Sequence, residues 1–396
     1  MKCRRLVLVL AVCFALIAAA CGSDDEPAPA APAETVAPAE PAAPAEEPEP
    51  AAEPESTEAA DEVPCDFDEA TCDYLAGKDF SGQTLTVGVW GGDIETLLRD
   101  IVIPPLEARG ATVELLLGGA GDRLAKLYAE HPNPTMDVLY LNIHTGRLAV
   151  LDGVAEAASD EIPAYADLYP IAKDSEVYGV SLLALGIQYN TEAFDGPPEW
   201  ADLWNEAHKG KIAFPTFPST GGDGMIAIAA RLEGGTEHDT DLAFEKIAQL
   251  KPVPLVYTSQ DELGLLMDAG EVVAAVNLSG YAVTAADNFD TVDFSFPRDP
   301  GPILAMDTMV ISAGSPNRDL ALAWAQVALS PKTQQAYAER IYFGPTNSKV
   351  ELSPDLAQRV VYGPEAVEAL IALDWPYVAE ARTTLTERWN REILED

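Results

Sequence analysis

The chain is 396 residues long and carries 65 acidic against 24 basic residues, a formal net charge of −41. That balance argues against nucleic acid and anionic lipid surfaces as partners; it suits a cationic ligand, and equally mere solubility or a salty habitat. Enough chain follows the low-complexity N-terminal part to fold as two lobes of ordinary domain size.

Met1–Cys21 opens with Lys2, Arg4 and Arg5 and continues as an apolar run to Ala20. This is the pattern of a secretory signal rather than of a membrane span. Ala18-Ala-Ala-Cys21 resembles a bacterial lipobox, which implies lipidation at Cys21; an ordinary signal with an incidental Cys is the alternative. Asp24–Pro64 is almost entirely Ala, Pro and Glu. Such a stretch buries too little apolar surface to offset its ordering entropy, so an extended tether is expected, reaching on the order of 100 Å at about 3.1 Å per residue. Cys3 and Cys13 leave with the signal and Cys21 takes lipid, so Cys65 and Cys72 remain. A lone close pair in an exported chain reads as a disulfide closing a small loop. A metal site is the alternative, with Asp66, Asp68, Glu69 and Asp73 the ligands at hand.

From Thr84 strand and helix patterns alternate. Thr84–Trp90 predicts a strand ending in Gly91-Gly92, and Ile94–Ala108 a helix bent or interrupted at Pro104-Pro105. Ala111–Leu117 predicts a second strand, Gly118–Gly121 the turn into a helix over Asp122–Glu130, and Met136–Leu141 a third strand with Asn142-Ile-His144 as its outgoing loop. Repeated β-loop-α units predict a parallel sheet with helices on both faces. Ligands of such sheets sit beyond the carboxyl ends of the strands, which singles out Trp90, Gly91, Gly92, Gly119, Asn142 and His144. His144 reads as a base, a polar lining residue or a satisfied surface His.

Tyr178–Asn190 is a run of apolar and β-branched residues in which Gly179 and Gly186 break any helical period. It predicts a buried extended segment crossing between two α/β halves. Trp200–Trp204 follows as an aromatic helical turn, and Lys209–Pro215 as a short strand. The order Tyr178-Gly-Val, Tyr189-Asn190, Trp200-Ala-Asp-Leu-Trp204, Lys209-Gly-Lys-Ile-Ala213 resembles the middle of the extracellular solute-binding proteins of ABC importers, in particular the spermidine/putrescine-binding branch. The resemblance covers most of residues 80–350.

Beyond the crossing, Lys211–Phe214 predicts a strand, Pro215–Gly222 its loop and Asp223–Leu232 a helix. Ser219, Thr220, Gly221 and Gly222 at that helix start offer hydroxyls and N–H groups to an anionic or polar group; a simple N-cap is the alternative. Asp239–Leu250 and Ser259–Met267 read as helices. Val272–Val276 reads as a strand opening into a polar loop, which brings Asn277, Ser279 and Tyr281 to a strand's carboxyl end. Ile303–Ser312 predicts a return strand through Asp307. Pro316–Leu329, Pro331–Arg340, Pro354–Val361 and Tyr377–Leu394 supply helices for the first lobe's outer face and the C-terminus.

Only four His occur, and there is no Gly-x-Ser-x-Gly elbow, Walker loop, His-Glu-x-x-His or Cys-x-x-Cys. A binding protein rather than an enzyme is expected, without cofactor or metal. The resemblance implies an α/β type II periplasmic-binding fold, two-lobed with hinge strands between the lobes. The expected layout is a signal over 1–21, a tether with a short disulfide loop over 22–79, a first lobe of Phe80–Leu183 plus Asp299–Asp396, and a second of Ala184–Arg298. The lobes would close on a small solute, and a membrane permease would read the closed shape. The protein is expected to act as a monomer, exported and lipid-anchored at the outer face of the membrane.

In polyamine binders of this branch, carboxylates grip the ammonium groups and aromatic residues flank the methylene chain. Trp90 matches the aromatic after the first strand, His144 falls near an aromatic position, Tyr281 gives another wall and Asp307 matches an acidic position. The branch's Asp-x-x-Glu pair after Lys-Gly-x-Leu is replaced here by Thr216–Gly222, which resembles relatives that hold aminophosphonate, iron-anion or carboxylated ligands. The ligand-binding subunit of a membrane sensor and an exported hydrolase remain as alternatives, separable by neighbouring genes and by a screen for turnover.

Overall fold

The computed structural model describes residues 63–173 and 176–395; the signal, Cys21 and the tether up to residue 62 lie outside the described residues. Cys65 and Cys72 are joined by a disulfide with Cα atoms 5.7 Å apart. Helix α1 (Glu69–Leu75) starts inside that loop, where the Asp68 carboxylate accepts the Thr71 N–H as an N-cap.

Strand β1 (Thr84–Val89) pairs in parallel with β2 (Thr112–Leu117) and with β3 (Val138–Asn142). Between β1 and β2 run α2 (Asp93–Leu97) and α3 (Ile103–Glu107), fused by a π-turn over Leu98–Val102. The interruption expected at Pro104-Pro105 is absorbed there: the prolines sit in the first turn of α3, where their missing N–H groups are not needed, and the widened π-turn precedes them. Helix α4 (Ala120–Glu130) links β2 to β3. After β3 come α5 (Ile143–Leu151), β4 (Ala155–Glu156) and α6 (Pro163–Ala166).

Strand β5 (Tyr178–Asn190) is buried at every position, as its continuous apolar pattern requires of a strand covered on both faces. The Trp200–Trp204 turn is 3-10 helical. It is followed by β6 (Ile212–Pro215), α7 (Thr220–Leu232), α8 (Thr240–Ala248), β7 (Val256–Tyr257), α9 (Gln260–Asp268), β8 (Ala274–Leu278), α10 (Ser279–Asn288) and β9 (Val292–Ser295). The return strand is β10 (Ile303–Ser312). Then come α11 (Arg318–Ala328), α12 (Pro331–Ile341), β11 (Gly344–Pro345), α13 (Pro354–Ala357), α14 (Pro364–Glu368) and α15 (Trp375–Arg388), the last running into a π-helical tail, Trp389–Leu394.

The curled sheet has the order β2-β1-β3-β10-β5-β8-β6-β7. Its two halves share β5. Tyr178–Leu185 pairs antiparallel with β10, with a register shift at Asp307/Thr308. Leu185–Tyr189 pairs with β8 and Ile187–Asn190 with β9. The second half is parallel within itself, β6 pairing with β7 and β8. Gly186 is the close approach that permits this: a Cβ there would overlap the Ser295 carbonyl oxygen of β9. The result is an α/β fold of two lobes with β5 and β10 as connecting strands.

The C-terminal helix touches both halves. Trp375 lies beside His144 of α5, ring centroids 6.2 Å apart. Trp389, fully buried, stacks on Phe217 at 5.4 Å and meets Phe214 and Phe244. Arg388 pairs with Asp241 at 2.8 Å, and Lys251 donates to the Glu395 carbonyl at 2.7 Å. The tail of this helix therefore packs against the residues around β6, α7 and α8.

Candidate functional site

A cavity of about 470 Å³ opens where the carboxyl ends of β1 and β3 face those of β6 and β8, with Leu185 of the crossing strand in its wall. It takes Trp90, Asn142, His144, Ser219, Thr220, Gly221 and Asn277 from the residues singled out in the sequence. Gly91 and Gly92 form the turn into α2, Gly92 with φ of 80° as its cap, and stand outside the lining; so does Gly119, the cap of α4, although Ala120 and Gly121 line it. Gly222 is buried behind Gly221 against Phe217. Ser279 turns away and accepts the Ala184 N–H at 3.2 Å. Tyr281 is exposed and lies edge-on to Phe343 outside the lining. Asp307 is also off the lining; Ser181 Oγ donates to its carboxylate at 3.2 Å, and burial pushes its carboxyl up to about 6.

Three stretches read as loops are helix starts. Ile143 and His144 open α5, Thr220–Gly222 open α7 behind the Ser219 cap, and Ser279 opens α10. Their residues are the cap formers Asn, Ser, Thr and Gly, whose composition is that of a loop. At α7 the Ser219 Oγ accepts the Gly222 N–H at 3.0 Å and the Ser219 carbonyl accepts that of Asp223 at 2.9 Å. The N–H groups of Thr220 and Gly221, which have no partner within a helix, are left at the cavity wall.

Trp90 is half-buried, with the Arg123 guanidinium 4.6 Å from its ring centroid. Arg123 is itself fixed by the Tyr140 carbonyl, to which its Nε and Nη2 donate at 3.0 and 2.6 Å. Asn277 is locked between β5 and α9, its Nδ2 donating to Gln188 Oε1 at 2.6 Å and to Gln260 Oε1 at 2.8 Å.

Sequence reasoning missed several polar lining residues, Thr145, Tyr257, Thr258 and Gln260 among them, and also Arg382 of α15, which no motif marks. Its Nη2 donates to the buried Asp223 carboxylate of α7, and its Nη1 lies 2.9 Å from His144 Nε2. Burial pushes the Asp223 carboxyl up to about 6 in spite of the guanidinium, since Oδ1 has no partner. Burial, helped by Arg382, pushes His144 down to about 3. His144 is therefore neutral, and because Arg382 has only hydrogens to give, its Nε2 accepts and its Nδ1 carries the proton. No group of His, Cys, Asp and Glu among the described residues is placed to hold a metal ion.

Residues 106–361 match the family described as bacterial extracellular solute-binding protein. The chain belongs to that family. This solute-binding protein is 26% identical over 217 residues to the spermidine/putrescine-binding periplasmic protein of Escherichia coli, covering 53% of this chain and 57% of the relative. It is 24% identical over 214 residues to the γ-aminobutyric acid-binding protein of Pseudomonas aeruginosa, covering 51% and 59%. The matched part thus spans a little over half the length of these relatives. Among solved structures, an ABC transporter protein from Clostridium perfringens is 29% identical with a TM-score of 0.69, covering 78% of this chain and 99% of that one. The spermidine/putrescine ABC transporter substrate-binding protein of Streptococcus pneumoniae is 18% identical with a TM-score of 0.64, covering 78% and 99%, a likeness of fold.

Proposed function

We propose that the protein is the extracytoplasmic solute-binding component of an ABC importer. It captures a small polar solute between its lobes and delivers it to a membrane permease without chemical turnover. The observation that carries this reading is the cavity itself, whose wall is shared by β1, α4 and α5 on one side and by β6, α7, α9 and β8 on the other. A ligand that touches both sides favours the shut form by differential affinity. We take the lobes as residues 80–183 with 299–396 and 184–298, moving about β5 and β10, and Cys21 as the lipid anchor that keeps a monomeric binder at the outer face of the membrane. Among the described residues no helix is long and apolar enough to cross a membrane.

A polyamine-type solute is the reading that the relatives' names favour, since spermidine, putrescine and γ-aminobutyric acid share a flexible chain ending in an ammonium group. The test is a thermal-shift panel of polyamines, amino acids, aminophosphonates, sugars and ferric chelates, followed by uptake of the best ligand in cells lacking this chain. Stabilisation by one class together with lost uptake supports the reading; hydrolysis of a ligand in the same panel overturns it.

A further inference from the structure

Resting on the solute-binding reading, we infer that the cavity takes a neutral polyhydroxylated solute, a sugar or sugar alcohol, held by uncharged hydroxyl and amide groups on both of its sides and by the ring of Trp90.

The charges of the wall are absent or already answered. In a chain with 65 acidic residues, none of the described residues that line the cavity is Asp, Glu or Lys. A diammonium solute finds no carboxylate there. The Arg123 guanidinium lies 4.6 Å from the centroid of the Trp90 ring, so an ammonium brought to that ring meets a like charge. Arg382 does line the cavity, but its guanidinium already serves Asp223 and His144. An anion would have to compete with the Asp223 carboxylate for it. A charged group taken out of water without a free counter-charge loses far more than a neutral one.

The polar groups that stay open are of another kind. Nearly half of the lining residues carry a hydroxyl or a side-chain amide. Among the described residues, the side chains of Asn142, Thr216, Thr220 and Thr258 make no hydrogen bond, and none of the four is buried. Asn142 stands at the end of β3 and the other three on the opposite side. Each such group both donates and accepts, so the hydroxyls of a polyol can pair with it in either sense. Gln260 adds an amide that is already aligned. Its Oε1 accepts from Asn277 Nδ2 at 2.8 Å and its Nε2 donates to Asn277 Oδ1 at 3.4 Å, while Asn277 Nδ2 also donates to Gln188 Oε1 at 2.6 Å. One N–H and one lone pair of the Gln260 amide are left over, on a group that binding need not freeze. Trp90 supplies an aromatic surface, and the electron-rich face of such a ring suits the C–H side of a sugar.

The test reads affinity in the full-length chain by calorimetry and thermal shift. Glucose, myo-inositol and sorbitol are the neutral probes; putrescine, γ-aminobutyric acid and inorganic phosphate are the ionic ones. The expected result is binding of at least one neutral probe, with an affinity that changes less than about twofold between about 50 mM and about 500 mM NaCl, since the solute has no charge to screen. Thr258→Val and Asn142→Leu, one on each side of the cavity, should each weaken that probe about two- to tenfold. Neither should move the unliganded melting temperature, because neither side chain has a protein partner to lose. Glucose and inositol against sorbitol then separate a ring from an open chain. An ionic probe bound more tightly than every neutral one overturns the inference and leaves the solute-binding reading standing. Neutral binding indifferent to both variants takes the polyol out of this cavity and overturns it too. Binding of no probe also overturns it, while uptake across the wider panel still decides the solute-binding reading.

Discussion

Replacing Asp223 by Asn probes the electrostatics at the wall of the cavity. The Asp223 side chain is 1% exposed, one oxygen accepts a hydrogen bond from Arg382 Nη2 and the other has no partner. Burial raises its carboxyl from 3.8 to about 6. The folded chain therefore holds this proton where the unfolded chain has lost it. The stabilisation is complete below pH 3.8 and is lost as pH rises through about 6. At 1.36 kcal/mol per unit, that window is worth about 3 kcal/mol as an upper figure. His144 runs the other way: its lowered value gives stability that is full above 6.5 and lost as pH falls toward about 3. The two opposing slopes overlap, so the wild type alone is uninformative. Asp223→Asn keeps His144 and an acceptor for Arg382 but cannot titrate. Denaturant unfolding of both proteins from pH 4 to pH 7.5, followed by tryptophan fluorescence, gives the difference. The wild type should lose about 2–3 kcal/mol relative to the variant over that range. A difference that stays flat, or one that grows in the wild type's favour, refutes the argument.

Trp389→Ala should cost about 3–5 kcal/mol of stability by emptying the pocket among Phe214, Phe217 and Phe244; a loss below about 1 kcal/mol in denaturant unfolding is the contrary result. Gly224→Ala should cost about 1–3 kcal/mol, because the added Cβ overlaps Leu185 Cδ1 where α7 leans on the crossing strand. An unchanged unfolding midpoint would show that the strand yields freely. Trp90→Ala should weaken the best ligand of the panel by about 1–2 kcal/mol in calorimetry while sparing the melting temperature; a sharp drop in melting temperature with affinity intact makes Trp90 a packing residue. Cys72→Ser should cost about 2 kcal/mol, the short loop limiting the entropic gain, and intact-mass analysis of the native chain should find no free thiol at Cys65 or Cys72.

The long strands were legible because their patterns have one reading. Tyr178–Asn190 and Ile303–Ser312 begin and end where the apolar runs do. The helix starts were legible in composition but not in boundary: Asn142, Ser219 and Ser279 cap or open helices with residues that also make loops. Arg382 was illegible. It stands 238 residues from His144 and 159 from Asp223 in the chain, and no local period links an Arg on a C-terminal helix to a cleft built from the middle of the sequence.

The C-terminal helix bears on how the lobes move. Its bonds to the second half are many and mixed in kind: Arg382 to Asp223, Arg388 to Asp241, the Asp374 N–H to Glu237 Oε1 at 2.7 Å, and the buried Trp389 cluster. Toward the first half it offers the His144–Arg382 bond and the Trp375 contact with α5. A buried Trp serves each side, Trp389 on the second half and Trp375 on α5, but the second half adds three polar bonds where the first has one neutral imidazole bond. If the lobes part about β5 and β10, the seam that gives way is therefore the one at His144. Arg382 then stays with Asp223 and α7. On the lobe motion proposed above, the guanidinium and the α7 helix start would form one preassembled wall, and closing would bring Trp90, Asn142 and His144 to it. Such a wall lowers the ordering cost of binding, since the groups that meet the solute first are already fixed by their own partners.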